Sequence, residues 1–375
     1  MTGLLLERLA SLDLVEWPLD APVELDRHDA VALTRAVTNQ RLTGQLAAAV
    51  DRGLVVMHPH DAAVARQMHR RAVLRTLRLE ALLIRVAHAL RDAAIAYRVL
   101  KGPAVVARLP QPLAALRTFV DIDLLVPQRE IDAAVGLLSR LGLRREVPQL
   151  RPGFDQRFAK TVTFADPDGL QLDLHRTLAV GPFGLLIHLD DLFADAAIVD
   201  IAGHRLRTLT PELQLLNIGY HAALGDVPPR PVVLRDVALS LLYDDVEVGR
   251  VLAFAHRWKG EAVLARAVRL ASGSLGLPRI HELQSWAWTF RPDRMSRRLL
   301  ASYTATGLGN ARKYLASLSV IPSMTDRTAY LRALLAPDAD VLRRARASRR
   351  SWIVRGVRGL RPHAPGVVLA DGDEA

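Results

Sequence analysis

Residues 117–126, RTFVDIDLLV, set two carboxylates one residue apart inside a run of aliphatic and β-branched side chains. Such a run reads as a strand covered on at least one face. Side chains alternate along a strand, so Asp121 and Asp123 project from one face and Ile122, Leu124 and Val126 from the other. A strand that buries one face and pairs acids on the other is either a solvated edge or the floor of a site that needs the charge. The neighbouring segments decide between the two.

Before this strand the pattern is helical. ALTRAVTNQRLTGQLAAAVDRG and AVARQMHRRAVLRTLRLEALLIRVAHALRDA place apolar residues three and four apart. At residue 96 the period changes to two. AYRVLKG reads as a strand ending at Gly102, PAVVARLP as a helix with Pro103 in its first turn, and DIDLLVP as the next strand. QREIDAAVGLLSRLGLR is an amphipathic helix. FAKTVTFADPDGLQLDLHRTL is a hairpin, two alternating arms around Asp166-Pro167-Asp168-Gly169. After residue 205 helices return, opening with Thr210 as N-cap and Pro211 behind it. The expected fold class is α+β: a small mixed-sheet core at 91–205, flanked by helical regions at 1–90 and 206–362, with a flexible tail at 363–375. A chain of 375 residues is long enough for this division.

The hairpin's outgoing arm, LQLDLH, carries Asp173 and His175 on one face and three leucines on the other. A third carboxylate thus lies on another strand of the same expected sheet. Three converging acids repel one another unless a cation lies among them. A divalent cation such as Mg²⁺ or Mn²⁺ prefers oxygen ligands, and two such ions can clamp a triphosphate. Upstream, Lys101-Gly102 closes the first strand. Glycine there lets a phosphate approach the backbone at the start of a helix, and Lys101 adds a point charge. The chain has only four lysines among 50 basic residues, so its composition does not account for Lys101 or for Lys160 at the start of the hairpin.

Taken in order, VLKGPAVVARL, RTFVDIDLLV and LQLDLHRTL resemble the uncharacterised nucleotidyltransferase family of the DNA polymerase β-like superfamily. The later segments LTPELQLLNIGYHAAL and VVLRDVALSLL extend the resemblance and set His221 and Asp236 on its motif. The resemblance covers roughly residues 75–260. It implies a nucleotidyltransferase core that binds NTP and two Mg²⁺ ions, with Mn²⁺ as a substitute. By position, Asp121 and Asp123 would bind both metals, and Asp173 would be the third ligand and candidate base. Lys101, Gly102, Arg117 and His175 are the candidate nucleotide-binding residues; His175 has the alternative role of orienting Asp173. For His221 and Asp236 the reading is a buttressing pair. Two departures stand out: Lys-Gly replaces the superfamily's usual Gly-Ser, and Val120 stands where a small residue is usual.

The expected reaction is transfer of a nucleoside monophosphate from NTP to a hydroxyl-bearing acceptor, with release of pyrophosphate. The acceptor stays open among a small molecule, a sugar, a peptide or a protein. Alternatives are a non-catalytic nucleotide- or RNA-binding module on the same scaffold, or a toxin–antitoxin-type enzyme that modifies a partner protein. The net charge of +11 admits nucleic acid. However, the arginine run VLRRARASRRSWIVRGVRGLR at 341–361 lacks regular aromatic interleaving, which disfavours single-strand stacking. Its default reading is a solvated helix face. The chain contains no cysteine, which excludes disulfides and thiolate metal sites. No window has the length of a transmembrane segment and the N-terminus lacks a signal-peptide pattern, so the expected location is the cytoplasm.

Overall fold

Seven strands form one mixed sheet: β1 (Arg98–Val99), β2 (Asp121–Leu125), β3 (Arg144–Arg145), β4 (Thr161–Ala165), β5 (Gln171–His175), β6 (Ala197–Ile201) and β7 (His204–Thr208). Their spatial order is β3-β4-β5-β2-β1-β7-β6, which puts the strand with the paired acids at the centre. β2 runs parallel to β5 and antiparallel to β1. The computed structural model describes residues 2–17, 21–304, 311–348, 350–352 and 354.

Each face of the sheet follows from side-chain alternation. Ile122 and Leu124 of β2 and Leu172 and Leu174 of β5 are fully buried. They pack with Leu79, Leu83 and Val86 of the 34-residue helix Pro59–Asp92 and with Leu138 of helix Ile131–Arg140. Burying four such side chains stabilises the core by roughly 1.5–3 kcal/mol each. The long helix also grips the loop that enters β2, where the Phe119 amide donates to Thr76 Oγ1 at 3.3 Å. Beyond the acids, Leu100, Leu125 and Leu209 join a second core with helices Pro211–Leu224, Pro231–Tyr243 and Glu261–Ser274 and with the N-terminal helices. The acid face is therefore turned toward the helical regions.

The hairpin β4–β5 forms as its turn chemistry dictates. Asp166 Oδ1 accepts from the amides of Asp168 and Leu170, at 2.9 and 2.8 Å, and Gly169 takes φ +75°. Pro211 opens its helix behind Thr210, whose Oγ1 accepts from the Leu213 amide. No helix among the described residues is long and apolar enough to cross a membrane.

Three sequence expectations change. The helix after Gly102 is a single turn, Pro103–Val106, because Leu109 and Pro110 end it before the next short turn Gln111–Ala114. The segment 32–53 falls in two helices, Arg27–Asn39 and Thr43–Asp51, broken where Arg41 adopts φ +57°. A second hairpin, β6–β7, extends the sheet across the boundary expected at 205/206; its turn uses Ala202 and Gly203 at positive φ. In the arginine run, Arg343 pairs with Asp340 on helix Ala339–Arg344, as on a solvated face. Arg349, Arg355, Arg358, Arg361 and the tail at 363–375 lie outside the described residues.

Helix Thr43–Asp51 is pressed against the loop that feeds β2. A Cβ on Gly44 would sit 2.3 Å from the Leu116 carbonyl oxygen, and that oxygen is backbone with no side-chain freedom to yield. Gly44→Ala is expected to destabilise the fold by about 1–3 kcal/mol or more. Urea denaturation measures this directly; an unchanged midpoint would contradict the close packing described here.

Candidate active site

Strand register assembles the acids. In the parallel β2–β5 pair, Asp123 lies opposite Asp173 and Asp121 opposite Gln171. Neighbouring strands are about 4.8 Å apart, so the Asp123 and Asp173 carboxylates rise side by side from one face. In the antiparallel β4–β5 pair Asp173 faces Thr163, whose Oγ1 donates to Asp173 Oδ1 at 2.6 Å. One oxygen of Asp173 is thereby fixed, and the residue remains half-buried.

Asp123 is only 2% exposed, and both its oxygens are held. Lys101 Nζ lies 2.8 Å from Oδ2, and His175 Nε2 lies 2.5 Å from Oδ1. Burial by itself pushes the carboxyl up, but the Lys101 ammonium and the His175 imidazole outweigh it and hold Asp123 well below the usual carboxylate range. For Lys101, burial works against the ammonium, yet Asp123 and Asp121 raise it overall. The site thus holds a charged carboxylate and a charged lysine in contact.

The remaining candidates fall into two groups. Asp123, Asp173 and His175 bring one ligand atom each to within 4.8 Å of one another. Asp121 is outside that group. It opens β2, two residues and about 6.6 Å along the strand from Asp123, and is half-buried. Its charge instead acts on Lys101 and on Arg41. The tight group fits a divalent cation by its chemistry, with two hard carboxylates and one imidazole.

Three expected roles are revised. His175 holds Asp123 rather than Asp173, because the diagonal across the parallel register brings its ring to β2 while Thr163 occupies Asp173. Arg117 is buried at 7% exposure in a bidentate ion pair, its Nε and Nη2 each 2.8 Å from an oxygen of Asp236, and its Nη1 donates to the Thr118 carbonyl. Its donors are spent on the protein, so it locks the entry of β2 to helix Pro231–Tyr243. Asp236 accordingly pairs with Arg117 and not with His221. Gly102, three residues past β1, caps the turn Pro103–Val106 with φ +41°, a conformation that favours glycine.

Sequence reading missed Arg41 and Thr163. Arg41 sits in the break between two N-terminal helices, where its left-handed backbone is uncommon for a non-glycine residue. Burial lowers its pKa first; Asp121 opposes this, and Arg230 and Arg117 add to the lowering. The signal available beforehand was the polar quartet Thr38-Asn39-Gln40-Arg41 interrupting a helical pattern. Lys160, just before β4, also belongs to the site. Burial and then Lys101 push its ammonium down, while Asp123, Asp173 and Asp121 pull it back up.

His221, on helix Pro211–Leu224, completes this surround. Burial first, then the charges of Lys101 and Lys160, hold its imidazole well below the ordinary 6.5, with Asp123 opposing. The folded chain therefore keeps His221 neutral while the unfolded chain takes up a proton near pH 6.5. The stability this provides is complete above that pH and is lost as pH falls below it. Between pH 7.5 and 5.5 the melting temperature of the metal-free protein is expected to fall more steeply than that of His221→Gln. His69 and His281 are also lowered, by burial, and leave a residual slope in the variant. Equal slopes in scanning fluorimetry would contradict a buried neutral His221.

The model of a protein family described as uncharacterised nucleotidyltransferase matches residues 26–276 of the chain. No curated protein matches it. Among solved structures, the chain is similar to ANT(2'')-Ia in complex with adenylyl-2''-tobramycin, at 16% identity over 48% of this chain and 96% of that one, TM-score 0.35. It is similar to the lincomycin-bound lincosamide antibiotic adenylyltransferase LnuA at 15% identity, over 36% and 82%, TM-score 0.26. It is also similar to an antigenic nucleotidyltransferase-like protein from Paracoccidioides brasiliensis at 17% identity, over 53% and 92%, TM-score 0.35.

Proposed function

The chain belongs to the uncharacterised nucleotidyltransferase family, and from that premise we propose that it transfers a nucleoside monophosphate from an NTP to a hydroxyl-bearing acceptor and releases pyrophosphate. The observation that carries this reading is the in-register pair of Asp123 and Asp173, with a lysine and a histidine closed on the first of them. A buried carboxylate that is kept charged beside a second carboxylate is poised to take a cation, and the three-acid face suits a triphosphate with its metals.

Asp123 and Asp173 would hold Mg²⁺, or Mn²⁺ in its place, with Asp121 adding an oxygen from the strand's entry. Two such ions supply charge neutralisation for the triphosphate when bound. The protein's own groups do the rest. His175 orients Asp123. Lys101, Lys160 and Arg41 take phosphate oxygens and the charge that builds up on pyrophosphate as it leaves. The acceptor oxygen forms its bond to the α-phosphorus, the bond from that phosphorus to the bridging β-phosphate oxygen breaks, and the acceptor proton passes to the oxygen of Asp173 that Thr163 leaves free. The acceptor is a small molecule, a sugar, a peptide or a protein.

Water serves as a slow acceptor that needs no knowledge of the natural one. Incubation with Mg²⁺ and α-labelled NTP is expected to yield NMP and pyrophosphate. Asp173→Asn is expected to slow this by about 10²- to 10⁴-fold. Release of NDP and inorganic phosphate instead would place the attack at the γ-phosphorus and contradict the proposal.

A further inference from the structure

Arg176 follows His175 directly. The strand ladder continues to it, with the Arg176 amide donating to the Lys160 carbonyl at 2.8 Å. Alternation therefore turns its side chain away from His175 and the acid face. The side chain is almost wholly enclosed, with the residue 4% exposed. Its Nε donates to the Ala159 carbonyl at 2.8 Å, while Nη2 is buried with no partner. Among the described residues no carboxylate forms an ion pair with it, and burial is the only influence acting on its charge.

Arg176 is among the residues lining an open pocket of about 340 Å³ between the core and the segment at 320–322. The wall is mixed: more of its exposed surface is polar than apolar, and Phe158, Ile187, Leu189 and Ile321 supply the apolar part. Arg157 pairs with Asp326 and lies over the Phe158 ring at 4.9 Å, and Asp190 is exposed at the rim. One buried cation is left without a counter-charge. Such a group is costly, and a hydrophobic residue of similar volume in its place is often neutral or stabilising.

We propose that this pocket binds a small organic carboxylate, its head on Arg176 and its hydrocarbon body against the apolar part of the wall. A carboxylate accepts a charge-assisted hydrogen bond from a guanidinium N–H and supplies the counter-charge that Arg176 lacks. One free cation matches one negative charge, whereas a phosphate dianion would bring a second beside Asp190. The site is separate from the acids of β2 and β5 and does not depend on the nucleotidyl-transfer reading.

Hexanoate is the probe, with hexanol, hexylamine and inorganic phosphate as controls, titrated calorimetrically into the whole protein. Wild type is expected to bind hexanoate saturably and at least tenfold more tightly than any control. Arg176→Met is expected to lose that preference at least tenfold while melting no lower than wild type without ligand. Leu189→Trp keeps the arginine and fills the pocket; it is expected to lose hexanoate binding as well, so the test stands even where Arg176→Met does not fold. Equal binding of hexanol, tighter binding of phosphate, or no hexanoate binding at millimolar concentration would each overturn the proposal.

Discussion

Asp123 is a carboxylate that the fold buries and then keeps charged. Lys101 comes from the end of β1 and His175 from β5, so the two strands that flank β2 each supply one contact to its central acid. The backbone reinforces this, because the Leu100 amide donates to the Asp123 carbonyl at 2.9 Å. Removing Lys101 would leave the buried carboxylate without its lysine counter-charge, which is far more costly than the pair is stabilising. The centre of the sheet and the chemistry of the site therefore rest on one cluster. That cluster is also where a divalent cation would enter, with Lys101 the group it displaces from Asp123.

The helical regions are fixed to the acid face by contacts at the entry of β2. Gly44 lets the N-terminal helices approach the Leu116 backbone, and Arg117 ties the next residue to Asp236 on a C-terminal helix. Those docking points bring Arg41 from one side and His221 from the other. The cations around the acids are graded: Lys101 is held in contact, Lys160 is weakened by burial and then by Lys101, Arg41 by burial and then by Arg230 and Arg117, and His221 is kept neutral. A polyanion entering this space would relieve the repulsion between Lys101 and Lys160.

Much of this was legible in the sequence. The change of period at residue 96 marks the core, alternation puts Asp121 and Asp123 on one face, and Asp166 to Gly169 spell out the hairpin that delivers Asp173. Other parts were hidden for physical reasons. The partner of Asp236 depends on which helix packs on which loop, a long-range outcome with no local signature, so Arg117 read as a phosphate ligand. His175 went to Asp123 because a parallel register sets diagonal neighbours that one strand's pattern does not specify. The β6–β7 hairpin carries charged residues on its outer face and turns through Ala202-Gly203, a weaker signal than a proline–aspartate turn. Arg41 was masked by a helical pattern that runs on both sides of it.

The central claim is that the acids of β2 make a metal-dependent nucleotide site, and calorimetric titration of NTP tests it most directly. The titration is run with and without Mg²⁺, on wild type and on the Asp121→Ala/Asp123→Ala variant, with folding of the variant checked by circular dichroism. The account predicts that wild type binds one NTP only when Mg²⁺ is present and that the double variant does not bind. Binding that is equally strong without metal, or that survives loss of both aspartates, would contradict it and leave the paired acids of DIDLLV as a structural feature of the sheet.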